Sequence, residues 1–268
     1  MAEDRELAWK PAILRWGLAL SLLQTAMASW PIADRFADAK WVHFPFVSAI
    51  SDALAPIAPV VVPVWIAGAL ALATGIAPRI SATVALCGLG AFLIADKQNY
   101  LNHGYFFFCA LVIVAVCGGA SPKSPPEARR LLALALAVQM TLLYGFAALN
   151  KATVSFLSGD DLAASLHGPI YLKVLRHLPH AAALLACLAV VTEGFLAIAP
   201  WTDRIPRRWA LAVCALFHLG ILAIVSRSFD LVAFGLASFV CYWTALTWRS
   251  VGGWRSTPED VTGLNSAP

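Results

Sequence analysis

Residues 131–151 read LLALALAVQMTLLYGFAALNK, and this stretch decides the class of fold. It carries no charged side chain from Leu131 to Leu149. A helix of that length crosses a bilayer, because it rises about 1.5 Å per residue and the hydrocarbon core is about 30 Å thick. Backbone groups in lipid must be paired within the protein, which allows helices or closed barrels. The apolar run is continuous and does not alternate, so it predicts a transmembrane helix that ends at Lys151.

Seven more apolar stretches accompany this one, so we predict an all-α integral membrane protein with about eight transmembrane helices. The composition agrees, because 60% of the residues are hydrophobic, 13% are charged and the mean hydropathy is +0.75. We expect a single transmembrane domain over residues 1–268, with its core at about 10–247 and a short cytoplasmic tail at 248–268. The predicted spans are 12–30, 58–77, 80–96, 104–120, 131–149, 180–200, 209–226 and 229–247.

The distribution of lysine and arginine predicts the orientation, because cytoplasmic loops are enriched in these residues. Twelve of them lie on the side that carries both termini and seven lie on the other side, which predicts cytoplasmic termini in a plasma (inner) membrane. No basic patch with interleaved aromatic residues favours nucleic acid as a partner, so the expected partner is the lipid bilayer. The terminal side carries Arg5, Lys10, Arg15, Arg79, Lys123, Arg129, Arg130, Arg204, Arg207, Arg208, Arg249 and Arg255, and the other side carries Arg35, Lys40, Lys97, Lys151, Lys173, Arg176 and Arg227.

The first span has a second interpretation, as a cleaved signal peptide. The small-x-small pattern at residues 26–28 resembles a cleavage site. Against this, Glu3, Asp4 and Glu6 occupy a region that is basic in signal peptides, and Gln24 interrupts the apolar run. We therefore expect the segment to be retained as the first helix.

Two long loops, 31–57 and 151–178, fall on the predicted extracytoplasmic face. The first mixes aromatic and acidic residues, a composition typical of the headgroup level. The second has apolar residues four apart, interrupted at Gly168-Pro169, and we expect two short interfacial helices that form a lid. Its spaced apolar residues are Leu162, Leu166, Ile170, Val174 and Leu178.

Polar residues gather at the same face and form the predicted site. Asp96, Asn99 and His103 lie in the short connection between the third and fourth spans, and one helical turn points Asn99 and His103 the same way. Lys151 follows Tyr144 by seven residues, a spacing that places both on one helix face. Two alternatives have no catalytic role: a lysine that reaches the lipid headgroups, and an interfacial histidine.

Arg15, Glu193 and His218 lie within predicted spans, where an ionisable group is costly unless it is paired or faces water. We expect all three to point into the bundle and to act as structural polar contacts between helices. Arg15 and Glu193 fall in the same half of the membrane, so we expect them to be partners.

The cysteines and the remaining histidines predict no metal site. Each cysteine lies within a predicted span and no C-x-x-C motif occurs, so we expect small buried apolar side chains rather than disulfides. His167, His177 and His180 lack a carboxylate at ligand spacing, and Pro179 disturbs the helical geometry between the last two. The cysteines are Cys87, Cys109, Cys117, Cys187, Cys214 and Cys241.

Four blocks of sequence resemble one known membrane family in order and spacing, across about residues 10–247. The blocks are GIAPR at 75–79 with QNYLNH at 98–103; YGFAALNK at 144–151 with FLSG at 156–159; EGFL at 193–196 with PR at 206–207; and FHLGI at 217–221. The family they resemble is the vitamin K-dependent gamma-carboxylase-like membrane domain, also called the HTTM domain.

The resemblance implies a carbon–carbon lyase mechanism. Lys151 matches the lysine that acts as the base toward a reduced quinone, vitamin K hydroquinone, and His103 matches a histidine that assists. In that mechanism, oxygenation of the deprotonated quinol yields a stronger base, which removes a glutamate γ proton so that carbon dioxide adds. An apolar membrane setting favours the neutral amine that such a base requires. This sequence shows no large soluble domain of the kind the carboxylase uses to hold its protein substrate.

Three functions therefore stand after the sequence analysis. The first is a quinol-dependent membrane enzyme that acts on a small or peptide substrate. The second is a non-catalytic membrane helper for the maturation or export of a secreted peptide, like the SdpB-type members of this superfamily. The third is a small-molecule transporter, which Glu193 and His218 favour and the absence of broken helices near the midplane disfavours.

Overall fold

The computed structural model describes residues 2–36, 52–53, 55–95, 102–163, 165–173, 175–178, 180–225 and 229–247. Every regular element in these ranges is helical, and the fold is all-α as predicted. The long helices are α1 (Ala2–Phe36), α2 (Ala58–Thr74), α3 (Pro78–Ala95), α4 (Asn102–Cys117), α5 (Pro126–Lys151), α6 (Ala181–Ile198), α7 (Arg207–Ile224) and α8 (Phe229–Ala245).

Seven of these helices have the composition of membrane helices. Three stretches of the described chain are long and apolar enough to cross a bilayer: Pro126–Lys151, Ala181–Trp201 and Arg207–Ile224. Four shorter helical stretches are also apolar: Ala58–Thr74, Pro78–Ile94, His103–Cys117 and Leu231–Ala245. The first helix continues to Phe36, six residues past its predicted end at residue 30.

The helices form one bundle in which α5 and α8 connect the two halves. Helix α5 packs against α4, α6 and α8, while α8 also packs against α1, α4 and α7. Small residues allow close approach between neighbours, as is common where helices associate in lipid. A Cβ atom on Gly68 of α2 would lie 2.7 Å from the backbone nitrogen of Ala85 on α3, and one on Gly88 would lie 2.5 Å from Cβ of Trp65.

Two arginines meet the carboxyl end of α4, on the same side of the bundle as the start of α1. Arg15 is buried and donates from Nη1 to the carbonyl of Ala120 at 2.5 Å. Arg79 donates from Nη2 to the carbonyls of Val116 and Cys117, at 3.2 and 3.3 Å. Carbonyl groups at a helix end have no partner within the helix and carry partial negative charge, so cations stabilise them.

The segment between α5 and α6 differs from the predicted pair of interfacial helices. It contains three short α-helices, Val154–Leu157, Asp160–Ala163 and Pro169–Lys173, and a 3₁₀ turn at Leu175–His177. The first two pack against α6 and the third against α7. Its apolar residues do not share one buried face: Leu166 is buried and Leu162 half-buried, whereas Ile170 and Leu178 are exposed, and Val174 lies outside the described residues.

The cysteines also differ in part from expectation. Cys117, Cys214 and Cys241 are buried as predicted, but Cys87 and Cys187 are exposed. The prediction was wrong for these two because a helix in lipid keeps an apolar sequence on its outer face as well as its inner one. The free thiol of Cys214 belongs to the site described next.

Candidate functional site

Lys151, the last residue of α5, forms an ion pair with Glu193 of α6. Side chains of a helix tilt toward its amino end, so a lysine at the last position leans back along α5 into the bundle. Its ammonium nitrogen donates to Oε1 of Glu193, and it also lies 6.0 Å from the centre of the Phe156 ring. The lysine side chain is 33% exposed and the glutamate side chain 5% exposed. The glutamate of this ion pair is therefore buried, whereas the lysine is partly exposed at the surface of the bundle.

The second oxygen of Glu193, Oε2, is buried and has no hydrogen-bond partner among the described residues. Burying a polar atom without a partner costs free energy, and for a carboxylate the cost is larger than for a neutral group. Oε2 is thus an acceptor, next to a lysine, that a hydroxyl or N–H group of a ligand would satisfy.

A second polar group lies beside the ion pair, one to two turns below Lys151 on the same face of α5. The Tyr144 hydroxyl lies 2.9 Å from Nε2 of His218 and 3.6 Å from Sγ of Cys214. Cys214 and His218 are four residues apart on α7, so both face α5. Tyr242 of α8 packs edge-on against Tyr144, at 6.0 Å between ring centres, and donates to the carbonyl of Leu196.

Phe234 of α8 joins the two histidines of the site. Its ring centre lies 4.6 Å from that of His103 in the first turn of α4 and 5.4 Å from that of His218. His103 and His218 therefore lie in the same part of the bundle, on either side of this ring. Helices α4, α5, α6, α7 and α8 therefore all contribute to a single polar cluster within an apolar bundle.

One part of each sequence block behind the family resemblance thus contributes to this cluster, through His103, Tyr144 with Lys151, Glu193, and His218, and comparison with protein families agrees. A model of the HTTM domain matches residues 12–248. The chain belongs to the HTTM-domain family. Neither the curated proteins nor the solved structures that were compared with it contain a match. With the apolar helices described above, membership of this family makes the chain a multi-pass membrane protein related to the membrane domain of the gamma-carboxylase.

Several predicted residues of this HTTM domain lie where the sequence placed them. Tyr144 and Lys151 share a face of α5, and Glu193 and His218 point into the bundle, at 4% and 6% exposed. The contact of Lys151 with His103 stays a prediction. Asp96 and Asn99 lie outside the described residues.

The predicted partnership of Arg15 with Glu193 was wrong. Glu193 pairs with Lys151, and Arg15 meets the carbonyl of Ala120 instead. The two were placed in the same half of the membrane by counting residues from the helix ends. However, α6 starts well beyond the level at which α5 ends. Thr141 of α5 donates to the carbonyl of Ala197, which lies near the carboxyl end of α6, so the first turns of α6 project past the end of α5. Lys151 consequently reaches a glutamate that lies twelve residues past the start of α6.

Sequence reasoning also missed three members of the site. Cys214 was treated only as an apolar side chain, and Phe234 and Tyr242 were not considered. The pairing of Glu193 with Lys151 could have been predicted from the sequence. A carboxylate within a transmembrane span needs a nearby cation, and few lysines or arginines of this chain lie near the membrane interior. In the described part of the chain, no group of three or more His, Cys, Asp or Glu side chains is placed to hold a metal ion.

Proposed function

We propose that this HTTM protein is a quinol-dependent membrane enzyme in which Lys151 acts as the base. The observation that carries the proposal is the Lys151–Glu193 pair, which is buried on one side, reachable on the other, and leaves Glu193 Oε2 for a ligand. An apolar surrounding raises the free energy of the charged ammonium–carboxylate pair relative to the neutral amine–carboxylic acid pair. The two states then lie closer in free energy, which favours movement of a proton between the two groups.

The chemistry of the pair follows from its single shared proton. When that proton lies on Glu193, Lys151 is a neutral amine with a free lone pair. The amine then accepts the proton of a substrate hydroxyl that approaches Glu193 Oε2. The products are the Lys151 ammonium and an anionic substrate oxygen, which stabilise each other beside the still-protonated Glu193. His103, together with Phe234 and His218, supports the substrate on the α4 side of the cluster.

A reduced quinone fits these residues, because its hydroxyl group donates the hydrogen bond that Oε2 lacks. When bound, a quinol would react with oxygen, and in the carboxylase that reaction drives the removal of a proton from carbon. The corresponding activity for this chain is a carbon–carbon lyase of carboxylase type. Its second substrate is a small molecule or a peptide that is presented at the membrane surface.

The proposal includes an orientation. We propose eight transmembrane helices with both termini cytoplasmic in the plasma (inner) membrane, which places Lys151 at the extracytoplasmic end of α5. The twelve-to-seven distribution of lysine and arginine supports this topology. A reporter that is active only outside the cytoplasm should be silent when fused after Arg255 and active when inserted between Lys173 and Arg176. Activity of the fusion after Arg255 would reject the topology.

The Lys151→Arg variant tests the base. Wild-type protein and variant are purified into lipid nanodiscs and supplied with reduced vitamin K (phylloquinol), and oxygen uptake is measured. We expect quinol-dependent uptake by the wild type and loss to background in Lys151→Arg, because a guanidinium does not release its proton at usable pH. Arginine keeps an ion pair with Glu193, so the unfolding temperature should stay close to that of the wild type.

Lys173→Arg is the matched control, because Lys173 is an exposed lysine at the end of the helix Pro169–Lys173. It should retain full oxygen uptake. An active Lys151→Arg variant would reject the proposed base and leave the alternative, a non-catalytic helper for the maturation or export of a secreted peptide. If proteoliposomes that contain the Lys151→Arg protein take up a small solute, transport of a small molecule becomes the leading function.

A further inference from the structure

A single turn of helix, Val154–Leu157, follows Lys151 and carries an aromatic ring back to it. Val154 is 89% exposed, whereas Phe156 of the same turn is half-buried. The ammonium nitrogen of Lys151 lies over the Phe156 ring, 6.0 Å from its centre. The attraction between a cation and the negative face of an aromatic ring extends to about 6 Å, so this contact lies at the outer limit of that range.

The amino end of this turn is fixed by Thr153, its N-cap residue. The Thr153 hydroxyl accepts from the backbone nitrogen of Phe156 at 3.3 Å, and the Thr153 carbonyl accepts from the backbone nitrogen of Leu157 at 2.9 Å. Threonine is favoured at this position because its hydroxyl satisfies a donor that the helix leaves unpaired. The backbone of Phe156 is therefore held close to the end of α5.

The carboxyl end of the turn is fixed by Gly159, which rests on the first turn of α6. Gly159 donates to the carbonyl of Phe156 at 3.0 Å, and its φ of 91° is a conformation that favours glycine. A Cβ atom at this position would lie 2.6 Å from the backbone nitrogen of Ala183. The chain approaches α6 this closely because Gly159 has no side chain. The ring of Phe156 is thus placed relative to both α5 and α6.

Two positions compete for the ammonium group of Lys151. A lysine at the end of a membrane helix can extend toward the surface and place its charge among lipid headgroups. In this structure Lys151 instead folds back onto Glu193, although its side chain is 33% exposed and the surface is within reach. The folded-back ammonium group contacts Glu193 and Phe156 together. The ring therefore favours the position in which the lysine meets its carboxylate.

We infer that Phe156 is a positioning residue: the face of its ring holds the Lys151 ammonium group at Glu193 and away from the membrane surface. This inference rests on the proposed function of Lys151 as the base, and it adds a residue that acts through that lysine. Phe156 itself takes no proton. Because the base must stay beside Glu193 to share its proton, loss of the ring should lower kcat and leave KM nearly unchanged.

The primary test measures the reactivity of the Lys151 amine and needs no turnover. Wild-type protein and variants in lipid nanodiscs are treated briefly with a water-soluble acetylating reagent, and acetylation of each lysine is measured by mass spectrometry. The readout is the ratio of acetylation at Lys151 to that at Lys173, an exposed lysine of the same chain. We expect Phe156→Leu to raise this ratio about threefold, the size of effect that a cation–π contact of a partly exposed cation implies. Phe156→Tyr keeps the ring face and should leave the ratio close to that of the wild type.

Two further proteins serve as controls. Phe146→Leu makes the same change at a phenylalanine of α5 that is 60% exposed, and it should alter neither the acetylation ratio nor oxygen uptake. Replacement of Phe156 by trifluorophenylalanine nearly preserves the shape of the ring and weakens its negative face, so this protein tests the contact even if Phe156→Leu does not fold. It should raise the ratio by about twofold, because part of the attraction remains.

An unchanged ratio in Phe156→Leu or in the trifluorophenylalanine protein would overturn the inference. An equal rise in Phe156→Tyr would also overturn it, because any change at this position would then loosen the turn. The second measurement is quinol-dependent oxygen uptake, in which Phe156→Leu should lower kcat about threefold at nearly constant KM. Full kcat in that variant would reject the positioning role. A raised ratio in a chain whose wild type shows no uptake would reject the quinol enzyme and leave the contact of Phe156 with Lys151 supported, so the two proposals fail separately.

Discussion

The two ends of the helical bundle both hold cations among apolar helices, but they neutralise them in different ways. At one end, Arg15 and Arg79 donate to main-chain carbonyls where α4 finishes. At the other end, Lys151 donates to the carboxylate of Glu193. A carbonyl carries only a partial charge and cannot accept a proton at ordinary pH, whereas a carboxylate can. The arginine end therefore pairs its cations with groups that stay unprotonated, whereas the lysine end pairs two groups that can each bind or release a proton.

The space around the two ends differs as well. A Cβ atom on Gly75 would lie 3.0 Å from the Arg15 guanidinium carbon, and one on Gly118 would lie 2.0 Å from Nε of Arg79. Both glycines have positive φ, 79° and 67°, a conformation that any other residue adopts at a cost. The arginine end is thus closed around its side chains. Near the lysine end, Thr192 and Phe217, which are the sequence neighbours of Glu193 and His218, line a cavity of about 330 Å³ between α6 and α7.

The largest effect should come from Glu193→Leu, which leaves Lys151 without its carboxylate. Removing one member of a buried pair typically costs about 3–5 kcal/mol, and here we expect roughly 2 kcal/mol because the lysine side chain is 33% exposed. Glu193→Gln should cost less, since the amide oxygen still accepts from the ammonium group. The measurement is the unfolding temperature of the purified protein in nanodiscs, alongside quinol-dependent oxygen uptake.

The double variant Lys151→Met with Glu193→Leu provides the control. Replacing both charges by apolar side chains of similar size should restore most of the lost stability while activity stays at background. If the Glu193→Leu protein keeps wild-type stability and activity, the ion pair is needed for neither stability nor activity. The lysine end would then not differ from the arginine end in the way described. Glu193→Gln and Glu193→Leu should lose oxygen uptake equally while folded, because neither glutamine nor leucine can hold the shared proton, and uptake retained by Glu193→Gln would reject that role of the glutamate.

An effect confined to stability is expected for Arg15→Ala. The variant loses a charged hydrogen bond to the Ala120 carbonyl, which is worth roughly 2 kcal/mol. Arg79→Ala is its internal control: Arg79 is exposed, so losing its contact with the α4 end should cost only about 0.5–1 kcal/mol. Oxygen uptake per folded molecule should be unchanged in both. Loss of uptake in a fully folded Arg15→Ala protein would show that the arginine end also takes part in the chemistry.

Residues on one helix were placed well by the sequence, because helical spacing is local. Seven residues separate Tyr144 from Lys151, and this alone puts them on the same face of α5. Burial of Glu193 and His218 followed from the cost of exposing an ionisable group to lipid. Contacts between helices were placed less well. Glu193 was assigned to Arg15 because the relative heights of α1, α5 and α6 depend on crossing angles and helix extensions that no local pattern contains.

The sequence by itself determined that the chain is an all-α membrane protein of the HTTM family, because apolar length, paired backbone groups and the order of its motifs are properties of the chain. It also determined which ionisable residues had to turn inward. Only the tertiary structure decided that Lys151 meets Glu193, that Tyr144 and Cys214 meet around His218, and that a cavity remains between α6 and α7. The physical reason is that these contacts join residues 42 to 74 positions apart, and their geometry is set by how whole helices pack.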